Sequence, residues 1–255
     1  MKVCLSIAGS DPSSGAGVQQ DLKTFTHFGV YGVCVVTGIT SQNTKGVEEV
    51  YPLSFKLVEN QLNSILSDIK IDGIKIGMLC NREIVEVVGS YLKKFQTLNI
   101  VLDPLIFSKN RRRLLTEEGV EILKEGFLNL VALVTPNILE ASILTGMEIE
   151  SLEDMKRSAV QIHKLGAKYV LVKGGHLRGE PVDILYNGKD FKEFRGERID
   201  KEVHGIGCAF SSAITALLAL GMDMEQAIRT SKGYITKAIS KSISIGQGYH
   251  LISLE

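Results

Sequence analysis

The sequence predicts an α/β protein in which a mostly parallel central sheet carries helices on both faces. Three observations lead to this. Short, continuously apolar runs of strand length alternate with segments of helical period almost throughout, as in βαβ units whose strands are buried on both sides. Polar or glycine-rich clusters follow the strand-like runs in succession, where open parallel sheets bind their ligands. No linker, repeat or low-complexity segment divides the 255 residues, a length that one core can fill. Residues 1–255 are therefore expected to form a single domain.

Taken in order, the apolar runs place strands at Val3–Ala8, Val33–Ile39, Gly73–Ile76, Asn99–Asp103, Leu130–Val134 and Tyr169–Val172. Helical periodicity places helices at Gly15–Phe28, Phe55–Ser67, Arg82–Phe95, Thr116–Glu125, Leu139–Thr145 and Leu152–Leu165. Asp183–Tyr186 and Phe191–Arg195 flank Asn187-Gly188, a strong hairpin signal. Two helices, about Gly207–Leu220 and Met224–Ser242, close the chain. The clusters expected on one edge of the sheet are Gly9-Ser10-Asp11, Ser41-Gln42-Asn43, Gly77-Met78, Asp103-Pro104, Thr135-Pro136-Asn137 and Lys173-Gly174-Gly175-His176. One of them would be a turn; six suggest a site.

Composition narrows the partners. Lys plus Arg and Asp plus Glu are both 29, so net charge is zero and the isoelectric point is near 7.0. No basic stripe points to nucleic acid, and Arg111-Arg112-Arg113 is the one local run, read as a solvated loop or a minor phosphate contact. The apolar stretch within Met1–Gly9 is too short for a signal peptide core or a membrane span. Cysteines 4, 34, 80 and 208 show no metal-ligand spacing, which fits a reduced, cytoplasmic protein.

The most informative stretch is His204-Gly205-Ile206-Gly207-Cys208, followed by a long apolar helix. Glycines before a helix let the backbone turn tightly and approach a ligand. The first N–H groups of the helix lack intrahelical partners and sit at the positive end of its dipole, a ready anion site. Cys208 stands at that end, where a thiol pKa tends to fall. An anion hole beside a possible base suits phosphoryl transfer to an alcohol. A buried structural thiol is the bland alternative.

The N-terminal stretch Ala8-Gly9-Ser10-Asp11-Pro12-Ser13-Ser14-Gly15-Ala16-Gly17-Val18-Gln19-Gln20-Asp21-Leu22-Lys23-Thr24 resembles the signature of the hydroxymethylpyrimidine/phosphomethylpyrimidine kinases of thiamine biosynthesis. Further blocks match in order: Gln42-Asn43-Thr44, Lys75 to Leu79, Val101 to Pro104, Thr135 to Ala141, Lys173 to His176, and His204 to Cys208. The resemblance implies a ribokinase-like fold, ATP and Mg²⁺ as cofactors, a small pyrimidine substrate and a homodimer. It implies phosphorylation of 4-amino-5-hydroxymethyl-2-methylpyrimidine and then of its monophosphate to the diphosphate. By the same resemblance Cys208 is the base, and Gly205, Ile206 and Gly207 offer backbone N–H groups to the transferred group. Lys173 reaches the ATP phosphates. Asp103, Asn137 and Glu140 organise Mg²⁺ and phosphates, with Asp103 and Glu140 nearest the metal. Asp21 and Gln42 read the ring edge, and Gly9, Ala16 and Met78 line the pocket. Asn137 and Glu140 are three apart at a helix start and can share one face; Glu140 would equally serve as a first-turn carboxylate facing the dipole. An ordinary strand-end lysine would look like Lys173, and a solvated helix residue like Asp21.

Two departures stand out. The family usually carries threonine at the position of Ile206, and its C-terminal glycine-rich block is shortened here to Gly246-Gln247-Gly248-Tyr249-His250. A pyridoxal or pyridoxine kinase on the same fold is the nearest rival, and Ile206 motivates a second: a pyrimidine-binding regulatory module without transfer. Ser108–Arg113 and the hairpin at Asn187 are candidate lids.

Overall fold

The computed structural model describes residues 1–95, 99–175 and 180–253. Its elements in chain order are β1 (Val3–Ser10), α1 (Gly17–His27), β2 (Tyr31–Asn43), β3 (Gly46–Pro52), α2 (Phe55–Asp68), β4 (Gly73–Ile76), α3 (Arg82–Leu92), β5 (Asn99–Leu102), α4 (Glu117–Glu125), β6 (Leu133–Val134), α5 (Ile138–Thr145), α6 (Leu152–Lys164), β7 (Tyr169–Lys173), β8 (Val182–Tyr186), β9 (Phe191–Arg195), β10 (Val203–His204), α7 (Ile206–Ala219), α8 (Met224–Ser240) and β11 (His250–Leu251).

Nine strands form one sheet in the order β3-β2-β1-β4-β5-β6-β7-β8-β9. From β2 to β7 every neighbour is parallel, while β3, β8 and β9 are antiparallel additions at the two edges. The predicted mostly parallel sheet with two helical layers is therefore the observed one. On β5, Ile100 and Leu102 face one core cluster and Val101 the other; on β7, Val170 and Val172 face the first and Leu171 the second. This two-residue alternation explains why the inner strands read as unbroken apolar runs: both faces are buried. Helices α2 to α6 cover the first face, while α1, α7 and α8 cover the second. Among the described residues no helix is long and apolar enough to cross a membrane.

The structure corrects three expectations. The strand expected over Leu130–Val134 shrinks to Leu133–Val134, because Phe127–Leu130 forms a 3₁₀ turn. Strand β2 runs on to Asn43, so the Ser41-Gln42-Asn43 cluster lies within a strand. Its extension pairs with β3, an edge strand that apolar periodicity did not indicate. The Asn187-Gly188 hairpin forms as expected, with Asn187 Oδ1 accepting the Lys189 and Asp190 N–H groups.

Candidate active site

Ladder hydrogen bonds continue past the carboxyl ends of the parallel strands and set the site residues in one row. Gly77 N–H donates to Ile7 C=O (2.9 Å), Asp103 N–H to Ile76 C=O (2.9 Å), Thr135 N–H to Leu102 C=O (2.9 Å) and Lys173 N–H to Pro136 C=O (2.8 Å). Helix α7 meets this row end-on. Gly205 caps it with φ +81°, a left-handed conformation that glycine adopts without strain. A Cβ there would lie 1.7 Å from the Gly15 carbonyl oxygen, so the loop before α7 is pressed against the start of α1. Among the described residues no side chain caps α7, and Ala209 N–H bonds the Gly205 carbonyl as the first helical bond (2.9 Å). The amides of Ile206, Gly207 and Cys208 therefore stand at the open end of the helix. The Ile206 side chain packs on the apolar cluster beneath α7 and α8, leaving only its amide for an anion.

Beneath that helix end lie Asp103 and Lys173. Lys173 Nζ donates to Asp103 Oδ1 at 2.8 Å, and Thr135 Oγ1 approaches the same oxygen at 3.3 Å. A Cβ on Gly207 would come within 3.3 Å of Asp103 Oδ2 and 3.5 Å of Lys173 Nζ, so the pair and the open amides share one small space. Burial alone would lower the Lys173 ammonium, but Asp103 and Glu140 outweigh it and hold its pKa above the ordinary value. Asn137 and Glu140 form a reciprocal cap on α5: Glu140 N–H donates to Asn137 Oδ1 (2.9 Å) and Asn137 N–H to Glu140 Oε2 (2.8 Å). Burial pushes the Glu140 carboxyl up to about 8, with Asp103 adding to it and Lys173 opposing.

Cys208 is 5% exposed. The low thiol pKa expected from its place at a helix start is not found, because burial pushes the thiol up to about 11 against the pull of Lys75 and the Gly17 N–H. Asp21 also departs from expectation. It is wholly buried, accepting hydrogen bonds from Ser6 Oγ (2.6 Å) and Lys75 Nζ (2.8 Å) at Oδ2 and from Ser212 Oγ (2.7 Å) at Oδ1. Both its oxygens already accept hydrogen bonds inside the protein.

The remaining substrate-side residues do converge. A Cβ on Gly9 would strike Met78 Cε at 2.1 Å, so these two pack face to face. Ala16 precedes α1 and donates its N–H to Asp11 Oδ2 (2.8 Å). Gln42 sits at a register shift between β2 and β3, a bulge that re-aims its side chain away from the regular alternation. There it meets His204: Gln42 Nε2 lies 2.7 Å from His204 Nε2, which lies 3.2 Å from Asp11 Oδ2. The Ser108–Arg113 loop is held at Asn110, which exchanges two hydrogen bonds with the Val47 backbone (3.2 and 2.9 Å). Arg113 stacks on Phe107 and pairs with Glu117 at 3.0 Å. His176 lies outside the described residues.

Sequence reasoning gave no role to Lys75, Ser212, His204 or Asp11. Lys75 carried a signal, a charged residue inside the apolar run Gly73–Ile76. The His204–Gln42 contact spans 162 positions and had none.

Comparison with known proteins decides the family. A profile described as phosphomethylpyrimidine kinase matches residues 11–253. The chain is 51% identical to the hydroxymethylpyrimidine/phosphomethylpyrimidine kinase of Aquifex aeolicus over 98% of this chain and 99% of that one. It belongs to the phosphomethylpyrimidine kinase family. Among solved structures, the phosphomethylpyrimidine kinase of Clostridium difficile superposes with a TM-score of 0.84 at 45% identity, covering 94% of this chain and 100% of that one. The pyridoxal kinase of Staphylococcus aureus in complex with AMP-PCP and pyridoxal superposes with a TM-score of 0.90 at 33% identity, covering 99% and 93%. The ribokinase-like fold expected from the resemblance is thus the family's fold, and the chain is a phosphotransferase by membership.

Proposed function

We propose that the protein, as one kinase domain, transfers the γ-phosphoryl group of ATP to the hydroxymethyl oxygen of 4-amino-5-hydroxymethyl-2-methylpyrimidine, and a second one to the resulting monophosphate. The observation that carries this is Cys208 standing directly after the open Gly205-Ile206-Gly207 amides, in a chain 51% identical to an enzyme named for both phosphorylations. The nucleotide part draws support from a solved relative that holds AMP-PCP.

The residues divide the work. Cys208, as thiolate, takes the proton of the substrate hydroxyl as that oxygen bonds to phosphorus and the bond to the departing ADP oxygen breaks. The amides at the start of α7 and the Lys173 ammonium face the charge on the transferred group. Gly9, Met78, Ala16 and Gln42 hold the ring, Gln42 offering both an acceptor and a donor to an aminopyrimidine edge.

The residues present fit a magnesium ion. Asp103 Oδ2 is buried with no hydrogen-bond partner among the described residues, and the raised Glu140 carboxyl is one that a nearby cation would return to its charged form. Among the described residues no three His, Cys, Asp or Glu side chains form a metal cage by themselves. Asp103 and Glu140 would hold an ion that keeps water and phosphate oxygens as its other ligands. Such an ion neutralises charge on the phosphates when bound.

The likeness to a pyridoxal-bound kinase favours pyridoxal as the second reading. A cytoplasmic homodimer completes the proposal: Ile39 and Tyr51 pair across β2 and β3 and stay exposed at the sheet edge, and sedimentation reads the dimer directly. Phosphorus NMR of the protein with ATP, Mg²⁺ and hydroxymethylpyrimidine tests the activity, with Cys208→Ala beside it. Monophosphate followed by diphosphate, both lost in the variant, is the expected result. Phosphorylation of pyridoxal with no pyrimidine product would overturn it in favour of the second reading.

A further inference from the structure

We propose that Lys75 is the positioning residue for Cys208, an enclosed positive charge that lets the thiol give up its proton for the transfer reaction. This rests on the reading of Cys208 as the base. Lys75 lies in the middle of β4, where all four residues are buried, and its own side chain is 0% exposed. Its partner Asp21 is equally enclosed at 2.8 Å. A buried ion pair is weak support for stability, and apolar residues of similar volume often do as well or better. Packing alone gives the core no reason to hold an ammonium.

The hydrogen bonds show where that ammonium is aimed. Asp21 Oδ1 accepts from Ser212 Oγ (2.7 Å), and Ser212 is four residues after Cys208 on α7, one turn along the same helix face. Asp21 Oδ2 accepts from Lys75 and from Ser6 Oγ (2.6 Å). The carboxylate is thereby fixed by three donors and fixes Lys75 in turn, beside the helix turn that bears the thiol. A Cβ on Gly77 would lie 2.8 Å from Lys75 Nζ, so the ammonium reaches toward the carboxyl end of β4, where the site residues gather. Asp21, expected to read the ring, instead acts as the bracket for this charge.

Several groups act on the Cys208 thiol through their charge or, for Gly17, a hydrogen bond. Lys75 comes from β4, Asp21 and the Gly17 N–H from α1, Asp103 from the end of β5, and Lys173 from β7. Burial dominates and raises the thiol; Lys75 is the largest opposing influence, and the two carboxylates side with burial. Lys75 itself keeps its proton, since Asp21 and its neighbours overcome the cost of burying it. Before substrate arrives the thiol loses its proton to water, and the thiolate then takes the hydroxyl proton. Lys75 offsets the negative charge on sulfur during that interval.

The test uses Lys75→Met, Asp21→Asn and the double variant. Alkylation of Cys208 by iodoacetamide, read by peptide mass against pH, reports thiolate without ATP or substrate. Lys75→Met is expected to slow it about tenfold or more at a given pH, as a shift of one pKa unit does. Asp21→Asn is expected to speed it, because the ammonium then loses its counter-charge. The acid limb of kcat should move the same two ways: up for Lys75→Met, down for Asp21→Asn. If Lys75→Met does not fold, the neutral double variant should still alkylate more slowly than Asp21→Asn. Equal rates for Lys75→Met and wild type, or slowing by Asp21→Asn, would overturn the proposal, since a pair kept only for packing predicts no opposite shifts. Absence of pyrimidine phosphorylation would instead overturn the proposed function, with the alkylation order still deciding Lys75.

Discussion

Lys173 Nζ and Asp103 Oδ1 lie 2.8 Å apart directly under the first turn of α7, with Asp103 only 1% exposed. The pair is a structural dependency as well as part of the proposed transfer site. Removing one member of a buried pair leaves the other charge uncompensated, at a cost of about 3–5 kcal/mol. Lys173→Met is therefore expected to lower stability in urea by an amount of that order, and to cut turnover about 10²–10³-fold by removing one stabilising donor. The double variant Lys173→Met/Asp103→Asn should regain most of the stability and none of the activity. Urea melts on the three proteins check this. A double variant no more stable than Lys173→Met would show that the pair is not the source of the loss.

Gly205 and Gly207 are two positions apart and should fail differently. Alanine at 205 meets a left-handed backbone and the Gly15 carbonyl at 1.7 Å. Strain of about 1–3 kcal/mol from the backbone alone, with the clash added, is expected to lower the melting temperature and loosen the packing of the loop on α1. Alanine at 207 has ordinary backbone angles but sets a methyl tightly against Asp103 Oδ2 at 3.3 Å and in contact with Lys173 Nζ at 3.5 Å. Gly207→Ala should melt close to wild type while losing most turnover. Melting curves and turnover measured side by side separate the two; a Gly207→Ala protein of normal activity would remove this glycine from the transfer site.

The contrast shows what a sequence can carry. Inner strands such as β4, β5 and β7 were legible because burial on both faces writes them as apolar runs. Gly46–Pro52 was not: its Glu48-Glu49 pair and exposed residues on an edge strand break any alternation. Leu130–Val134 read as a strand because an apolar run does not distinguish an extended chain from a buried 3₁₀ turn. At the candidate site, the glycine turn that opens α7 ahead of Cys208 was legible because helix-start geometry is local. The enclosure of Asp21 was not legible, since it depends on Ser6, Lys75 and Ser212 arriving from three other elements. The thiol of Cys208 was misjudged for a related reason: helix position is local, but the burial that raises its pKa is made by the whole fold.

His204 and Gln42 give a prediction of specificity. A hydrogen on His204 Nε2 favours donation to Asp11 and turns the Gln42 carbonyl toward the imidazole; a hydrogen on Nδ1 leaves Nε2 to accept from the Gln42 amide. Either way His204 sets which end of the amide faces the ring. His204→Leu is expected to raise KM for hydroxymethylpyrimidine about 10–100-fold, the worth of one hydrogen bond involving a charged network, with kcat little changed. His204→Gln, which keeps a polar partner near that position, should restore much of the affinity. Steady-state kinetics decide; a fall in kcat at constant KM would assign His204 to the chemistry instead.

Asp11 gives a dependence on pH. Its Oδ1 accepts from Ser13 N–H (2.8 Å) and Ser13 Oγ (2.7 Å), its Oδ2 from Ala16 N–H (2.8 Å), and His204 approaches at 3.2 Å. Burial works to raise this carboxyl, but His204 and Ser13 together hold it below its ordinary 3.8. A carboxylate lowered in the folded state adds stability above its unfolded pKa and loses it as pH falls through the folded value. Asp11→Asn is expected to be less stable than wild type at neutral pH by about 1–3 kcal/mol, or roughly 2–4 °C of melting temperature per kcal/mol. As pH falls below the ordinary 3.8 the unfolded carboxyl takes up a proton first and the advantage shrinks, and once pH passes the lower folded value the native carboxylate is protonated too, so the two melting temperatures should draw together. Melting curves for both proteins from neutral pH down to about pH 3 test this, and a gap that stays constant across the range would mean that Asp11 holds the loop through shape alone.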